Sequence, residues 1–174
     1  PVSELIRYYD TGIRLADFAV RELAALGHTA ELIDAKAIGL PMLDKRLSDY
    51  APGTAPAAMV ELGHKISAAD GLVFIVGEYN GGLQPGLKNL VDHYLVEWFR
   101  RPAAIISYSA GRMAGARANA SWHHTLTALG MPVVPAALAV GGISASLDEV
   151  GQPTGDGGAA LARGFPAFAA ELAW

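Results

Sequence analysis

The sequence predicts a doubly wound α/β domain, in which a parallel sheet is covered by helices on both faces. Strand-like and helix-like segments alternate along the chain, and strands connected through helices form right-handed βαβ units. Residues 72–76 are apolar at every position, which is typical of a strand buried on both faces. A glycine-rich turn and then a helix start follow that strand. Open α/β sheets bind their ligands at such places.

The composition is that of a single globular domain over residues 1–174. Of the 174 residues, 52% are apolar and 17% are charged, which is enough apolar material for a substantial core. The chain contains no cysteine, which excludes disulfides, thiolate nucleophiles and cysteine metal sites. A formal charge of −4 offers no footprint for nucleic acid, and no apolar run suits a membrane span. A cytoplasmic location is compatible with these properties.

Local patterns predict the individual elements. Thr11 can cap the first helix and Gly27 can end it, whereas Pro102 ends the third helix. Residues 38–56 are polar and rich in proline, which predicts a surface loop able to close over a ligand. The predicted helices cover 11–26, 56–69, 85–99, 116–129 and 159–174, and the predicted strands cover 29–34, 72–76, 103–108 and 133–140.

Residues 1–10 form the weakest part of the pattern. The apolar residues Val2, Leu5 and Ile6 lie among polar ones, so the segment makes a poor central strand. A parallel sheet without a central strand leaves the neighbouring strands unpaired, which costs free energy. We therefore expect the chain as written to lack residues near its start. An intact mass that agrees with the printed sequence would contradict this expectation.

Two glycine-containing turns follow two neighbouring strands, over 77–82 and 107–115. The carboxyl ends of parallel strands meet at one edge of the sheet, so both turns are expected there. Glycine allows a backbone to approach a ligand closely, and this edge suits a planar or phosphorylated cofactor. In the plainer alternative, these glycines serve only the geometry of the turns.

Both turns also carry specific motifs. The first reads G-E-Y-N-G-G-L-Q-P-G-L-K-N-L-V-D over 77–92, and the second reads S-Y-S-A-G-R-M-A-G-A-R-A over 107–118. Over residues 7–140 the chain resembles the NADPH-dependent FMN reductase family, whose members have a flavodoxin-like fold. That resemblance implies a five-stranded sheet with strand order 2-1-3-4-5.

The chain departs from the family pattern in two places. Gly77 stands where the family usually has proline before E-Y-N. The family's first strand ends in G-S-x-R, whereas Glu4, Leu5 and Ile6 precede Arg7 in this chain. The second departure affects the loop that holds the FMN phosphate in the family.

The resemblance implies an FMN site at the carboxyl edge. Tyr79 and Asn80, with neighbouring backbone, would line the isoalloxazine edge, and the amides of 109–112 would contact the ring or the ribityl chain. Arg7 and Thr11 would hold the phosphate near the first helix. The flavin carries the chemistry in such enzymes, so no side chain is expected to be catalytic and no metal is expected. The implied cofactor-binding residues are Arg7, Thr11, Glu78, Tyr79, Asn80, Gly81, Ser109, Ala110, Gly111 and Arg112.

The activity implied by the resemblance is NAD(P)H-dependent flavin reduction. Hydride from NADPH or NADH would pass to flavin N5, and then to a small-molecule acceptor such as a quinone, free flavin, azo compound or metal oxyanion. The family commonly forms dimers or tetramers through the helix after E-Y-N, so a homodimer or homotetramer is expected. Two alternatives are an electron carrier that does not use NADPH and a flavin-less binding or regulatory module.

Several polar residues near the turns have plainer interpretations. Lys88, Asn89 and Asp92 are expected to be structural, either tying down the turn or pairing at an interface. Arg112 could contact an NADPH phosphate or simply be solvated.

Four further side chains have open roles. His123 and His124 are adjacent on a helix and cannot form an i, i+4 metal pair, so core or interface positions are expected. Trp98 and Phe99 could lie at an interface or shield the flavin.

Overall fold

The computed structural model describes residues 4–7 and 10–174, with side chains described from Gly12 onward. Short 3₁₀ turns lie at Leu47–Asp49 and Val96–Trp98. The strands are β1 (Glu4–Arg7), β2 (Glu31–Asp34), β3 (Leu72–Gly77), β4 (Ala103–Tyr108) and β5 (Val133–Val140). The helices are α1 (Asp10–Ala25), α2 (Ala35–Ile38), α3 (Ala57–Ala68), α4 (Pro85–Asp92), α5 (Ala116–Ala128), α6 (Ile143–Ser146) and α7 (Gly155–Ala173).

The strands form a parallel sheet in the order β2-β1-β3-β4-β5. The α/β class and the parallel sheet predicted from the sequence are confirmed. The sequence predicts a poor central strand over 1–10, whereas Glu4–Arg7 pairs with β2 on one side and with β3 on the other. Pairing on both sides satisfies backbone groups that the local pattern alone does not account for. Residues 1–3, 8 and 9 lie outside the described part.

The core consists of two layers, one on each face of the sheet. In β3, Phe74 and Val76 pack with α3, α4 and α5, whereas Val73 and Ile75 pack with α1 and α7. Successive strand side chains point to opposite faces, so a strand covered on both faces must be apolar at every position. The central strands are therefore rigidly held, and they fix the turns at their carboxyl ends.

The helix predicted over 85–99 ends at Asp92, which corrects the sequence prediction. The chain bends so that the buried Trp98 indole returns towards α4 and donates from Nε1 to the Val91 carbonyl at 3.0 Å. Its ring packs near Phe74 and Tyr94 in the core. Trp98 is thus a core residue, and neither role suggested for it from the sequence is correct. Phe99 is 45% exposed.

Helix α7 begins at Gly155, four residues before the predicted start at 159. Gly157 and Gly158 lie outside the predicted helix but inside α7. A Cβ at Gly157 would meet the Ser146 side chain, and one at Gly158 would meet the backbone of Pro153 at 2.8 Å. Glycine therefore lets α7 start close against α6. No described helix, α7 included, is long and apolar enough to cross a membrane.

Candidate functional site at the carboxyl edge of the sheet

The 77–82 turn follows β3 and is closed by its own backbone. Tyr79 and Gly82 exchange two hydrogen bonds, of 3.2 Å and 2.8 Å. Between them Asn80 has φ 48° and Gly81 has φ 78°. Positive φ at both central residues is typical of a type I′ turn, for which Asn-Gly is the preferred pair. The E-Y-N-G sequence therefore accounts for the local shape of this turn.

The 109–115 loop follows β4 and folds back over the end of that strand. The Ser107 hydroxyl donates to the Ala114 carbonyl at 2.8 Å. Gly115 has φ 76°, and a Cβ there would lie 2.8 Å from the Tyr108 carbonyl oxygen. Only glycine suits a position that combines positive φ with such close backbone approach. The backbone conformation of the loop therefore requires the last glycine of the second motif, Gly115.

Backbone N–H groups at the start of the 141–146 segment donate hydrogen bonds to two carbonyl groups of the 109–115 loop. Ile143 N–H donates to the Ser109 carbonyl and Gly142 N–H donates to the Gly111 carbonyl, each at 3.2 Å. The amide N–H groups of 110–112, in contrast, meet no acceptor within the described part of the chain. Three consecutive donors are therefore available to a ligand at this loop.

An ion pair connects the two glycine segments. The Glu78 carboxylate accepts from the Arg117 guanidinium at 3.1 Å and from the Arg117 backbone N–H at 3.1 Å. The Arg117 side chain also runs past the 77–82 turn, because a Cβ at Gly81 would lie 3.5 Å from Arg117 Cδ. Sequence reasoning did not single out Arg117. The sequence does carry a signal for this pair. Arg117 follows one edge turn, and the oppositely charged Glu78 lies in the other.

A hollow of about 260 Å³ opens between the two segments. Four of its residues were predicted from the sequence, and four were not. Its volume lies just below the usual range of ligand pockets, so it can enclose only part of a cofactor such as FMN. The predicted lining residues are Glu78, Tyr79, Ser109 and Ala110, and the others are Gly77, Tyr108, Ile143 and Ser144.

The other predicted cofactor residues lie around this hollow or towards α1. Asn80, Gly111 and Arg112 are exposed and Gly81 is half-buried, and none of the four lines the hollow itself. The structure places Arg7 last in β1, paired in register with Asp34, and Thr11 in the first turn of α1. The side chains of Arg7 and Thr11 lie outside the described residues, so their phosphate role stays a prediction.

Three polar residues on α4 have structural contacts. Lys88 Nζ lies 2.7 Å from Asp92 Oδ1, one helical turn away. The Asn89 side chain accepts from Leu43 N–H and donates to the Pro41 carbonyl, each at 2.9 Å. Lys88 and Asp92 thus pair within α4, and Asn89 anchors the loop around residues 41–43 rather than the 77–82 turn.

The adjacent histidines of α5 do not lie in the core. His123 and His124 are both exposed, because the neighbouring Trp122 and Leu126 occupy the buried face of the helix. The core alternative is therefore wrong. Within the described part of the chain, no group of three or more histidine or acidic side chains could hold a metal ion.

A larger hollow of about 340 Å³ lies beside the edge strand β2. Its polar side chains pair with one another, since Lys65 contacts Glu31 and lies 3.9 Å from Glu61. Neither glycine segment lines it. We therefore assign the candidate site to the smaller hollow at the carboxyl edge.

Comparison with known sequences shows the family to which the chain belongs. A family model described as NADPH-dependent FMN reductase matches residues 11–145. The NAD(P)H-dependent FMN reductase ntnL of Nectria sp is 46% identical over 61 residues, covering 35% of this chain and 29% of that protein. A quinone reductase of Pseudomonas putida is 28% identical over 141 residues, covering 77% and 73%. The chain spans about a third of the length of the fungal relatives it matches.

Solved structures with the same fold include a flavoenzyme and a flavodoxin. The flavoenzyme NAD(P)H:(acceptor) oxidoreductase FerB of Paracoccus denitrificans has a TM-score of 0.76 at 22% identity, covering 99% of this chain and 96% of that one. A flavodoxin of Pseudomonas aeruginosa, solved as a cysteine-to-alanine mutant, has a TM-score of 0.62 at 19% identity, covering 99% of both chains. These likenesses establish the flavodoxin-like α/β fold.

Proposed function

The chain belongs to the NADPH-dependent FMN reductase family, and we propose that it binds FMN at the carboxyl edge and reduces it with NADPH or NADH. The hollow between the 77–82 turn and the 109–115 loop is the observation that carries this proposal. Ala110 lines this hollow, and the amides of 110–112 donate to no other group within the described residues. Such donors suit the carbonyl oxygens and ring nitrogens of a flavin.

The space and the charge at the hollow support an FMN site. A Cβ at Gly111 would meet nothing within 4 Å, so the loop faces open space at this point. Glu78 is the carboxylate nearest to the hollow, and its charge is compensated by Arg117. Because its charge is paired, Glu78 should not repel an anionic cofactor such as FMN.

Each group of residues has a distinct task in this proposal. Bound FMN supplies the hydride chemistry between the nicotinamide and the acceptor. Tyr79 and Asn80 line the edge of the ring system, while the 110–112 amides hold its other side. Arg7 and Thr11 hold the phosphate at the start of α1, where the helix dipole is positive. The five-stranded order with Glu4–Arg7 as an inner strand brings Arg7 to this edge.

The electron acceptor is proposed to be a small molecule of the quinone, free flavin, azo or metal oxyanion class. The hollow and its rim are of a size for small ligands. Arg112 is exposed two residues after Ala110, which lines the hollow, and is the proposed partner of the 2′-phosphate of NADPH. A single domain over 1–174 and a cytoplasmic location are parts of the same proposal.

A homodimer or homotetramer is also proposed, with a contact near α4. The apolar residues of α4, namely Leu87, Leu90 and Val91, are buried in the protein's own core, so they are not available for assembly. A contact here would instead use Val96 and Phe99, which are 57% and 45% exposed. Sedimentation of wild-type protein against a Val96→Glu/Phe99→Glu variant tests this surface. A monomeric wild type would contradict it.

Anaerobic titration of the protein reconstituted with FMN tests the main proposal. We expect yellow protein that loses its flavin absorbance when NADPH or NADH is added. Colourless protein that does not bind added FMN would overturn the proposal. Yellow protein that keeps its colour with both nicotinamides would favour the electron-carrier alternative.

A further inference from the structure

Tyr108 lies at the point where the hollow meets helix α1. It is the last residue of β4, lines the hollow and is 5% exposed. A Cβ at Gly12, in the first turn of α1, would lie 2.6 Å from the Tyr108 hydroxyl oxygen. A Cβ at Gly77 would lie 2.9 Å from the same atom. The hydroxyl therefore occupies space that any residue except glycine would fill at either position.

The same hydroxyl also contacts the start of α4. The Gln84 side chain is buried and donates from Nε2 to the Tyr108 hydroxyl at 3.3 Å. One phenol thus lies against the first turn of α1, the end of β3 and the residue that precedes α4. Gly77 stands where the family pattern has proline, and the Tyr108 hydroxyl explains why a side chain is not accommodated there.

We propose that Tyr108 is a positioning residue whose hydroxyl sets the spacing between the first turn of α1 and the 77–82 turn. This inference rests on the proposed function, because FMN would span these two segments with its phosphate at one and its ring at the other. A change in their spacing would misplace one end of the cofactor while the other end stays bound. FMN affinity should therefore depend on the hydroxyl more than overall folding does.

A double-mutant cycle between Gly12 and Tyr108 tests the spacing role. Gly12→Ala should weaken FMN binding by about tenfold, because the new methyl group overlaps the hydroxyl. Tyr108→Phe should weaken it by about threefold through the lost hydrogen bond. In the Tyr108→Phe background, Gly12→Ala should have a clearly smaller effect, since the nearest remaining ring atom would lie 3.1 Å away and need shift by only a few tenths of an ångström. Coupling between two contacting positions is the signature of a shared spacing.

Gly71→Ala is the matched control for a glycine-to-alanine change. Gly71 lies just before β3, and its Cβ would make only ordinary contacts with Leu172, the nearest at 3.4 Å. FMN dissociation constants from fluorescence quenching, and melting temperatures, are measured for all variants. Gly71→Ala should leave FMN affinity within about twofold of wild type.

The outcomes separate this inference from the proposed function. Wild-type protein that fails to bind FMN contradicts both. Wild-type binding with additive effects of Gly12→Ala and Tyr108→Phe overturns the spacing role alone. The spacing role is also overturned if Gly12→Ala and Tyr108→Phe lower the melting temperature but leave FMN affinity unchanged. A tyrosine with only a structural role would give that result. If Gly12→Ala does not fold, the double variant must fold and bind FMN, because removal of the hydroxyl relieves the 2.6 Å overlap, and failure to do so also contradicts the inference.

Discussion

Arg117 binds both oxygens of the Glu78 carboxylate, one through its guanidinium and the other through its backbone N–H, each at 3.1 Å. Glu78 belongs to the turn after β3, and Arg117 belongs to the first turn of the helix after β4. The carboxylate also lies at the positive end of α5, where the helix dipole favours an anion. The position of the 77–82 turn therefore depends on α5 as well as on its own strand.

Arg117→Ala should weaken FMN binding by about fivefold, because the 77–82 turn loses its attachment and the Glu78 charge its partner. Global stability should fall by less than about 1 kcal/mol, since the Arg117 side chain is 64% exposed and its charge is screened by water. Lys65→Ala is the matched control, as it removes an exposed ion pair far from the site. Equal FMN affinities of the two variants would contradict the role of the Glu78–Arg117 pair.

Gly115→Ala should abolish or strongly weaken FMN binding. The substitution combines positive φ with a Cβ 2.8 Å from the Tyr108 carbonyl, so the 109–115 loop must shift. Gly53→Ala is the control, because Gly53 has φ 77° but its Cβ would meet nothing within 4 Å. Denaturant unfolding should show a loss of about 1 kcal/mol for Gly53→Ala and clearly more for Gly115→Ala. Equal losses of unfolding free energy in the two variants would show that the close approach of Gly115 to the Tyr108 carbonyl has no energetic cost for alanine.

The side chain and the backbone of Asn80 can be tested separately. Asn80→Gly keeps a residue that accepts φ 48°, so the turn and the melting temperature should be preserved. Asn80→Ala should lower stability by about 1 kcal/mol, because alanine disfavours positive φ. If the side chain lines the flavin, both variants should bind FMN more weakly. Wild-type affinity in Asn80→Gly would limit the role of Asn80 to the turn.

Asn89→Ala should release the loop around residues 41–43. The variant loses the bonds with Leu43 N–H and the Pro41 carbonyl, so the Leu43 amide should exchange with deuterium about tenfold faster. Asn89→Asp keeps an acceptor for Leu43 and should show a smaller increase. If this loop closes over the acceptor, Asn89→Ala should also raise the KM for a quinone. Unchanged exchange at Leu43 would mean that other contacts hold the loop.

Tyr94 predicts a stability change at alkaline pH. Burial, with a smaller contribution from the negative charge of Glu97, raises the pKa of Tyr94 well above its ordinary value near 10. Because the folded state favours the neutral phenol, this contribution is fully present below pH 10. It is lost as pH rises beyond about 10 towards the folded-state pKa.

Tyr94→Phe separates this contribution from the titration of other groups. At neutral pH the variant should be about 1 kcal/mol less stable, because the hydrogen bond from the hydroxyl to the Met59 carbonyl is lost. Between about pH 10 and 12 the stability of wild type should fall faster than that of Tyr94→Phe. Denaturant unfolding over this pH range measures both slopes, and parallel slopes would contradict the interpretation.

Much of the architecture could be predicted because its signals are local. The all-apolar run of 72–76 requires a strand covered on both faces, and Asn80-Gly81 specifies a tight turn through backbone conformation alone. Both signals depend on neighbours in the chain. The same holds for the glycine motif that ends at Gly115, whose carboxyl-edge location follows from its place after a strand.

The sequence by itself determined the α/β class, the two edge turns and the family motifs, since each is written in short stretches of residues. Only the tertiary structure decided the pairing of β1, the end of α4 at Asp92 and the burial of Trp98, because each depends on a partner distant in the chain. The same reason hid Arg117 and Tyr108. Their importance comes from contacts with Glu78, Gly12 and Gly77, which only packing brings within reach.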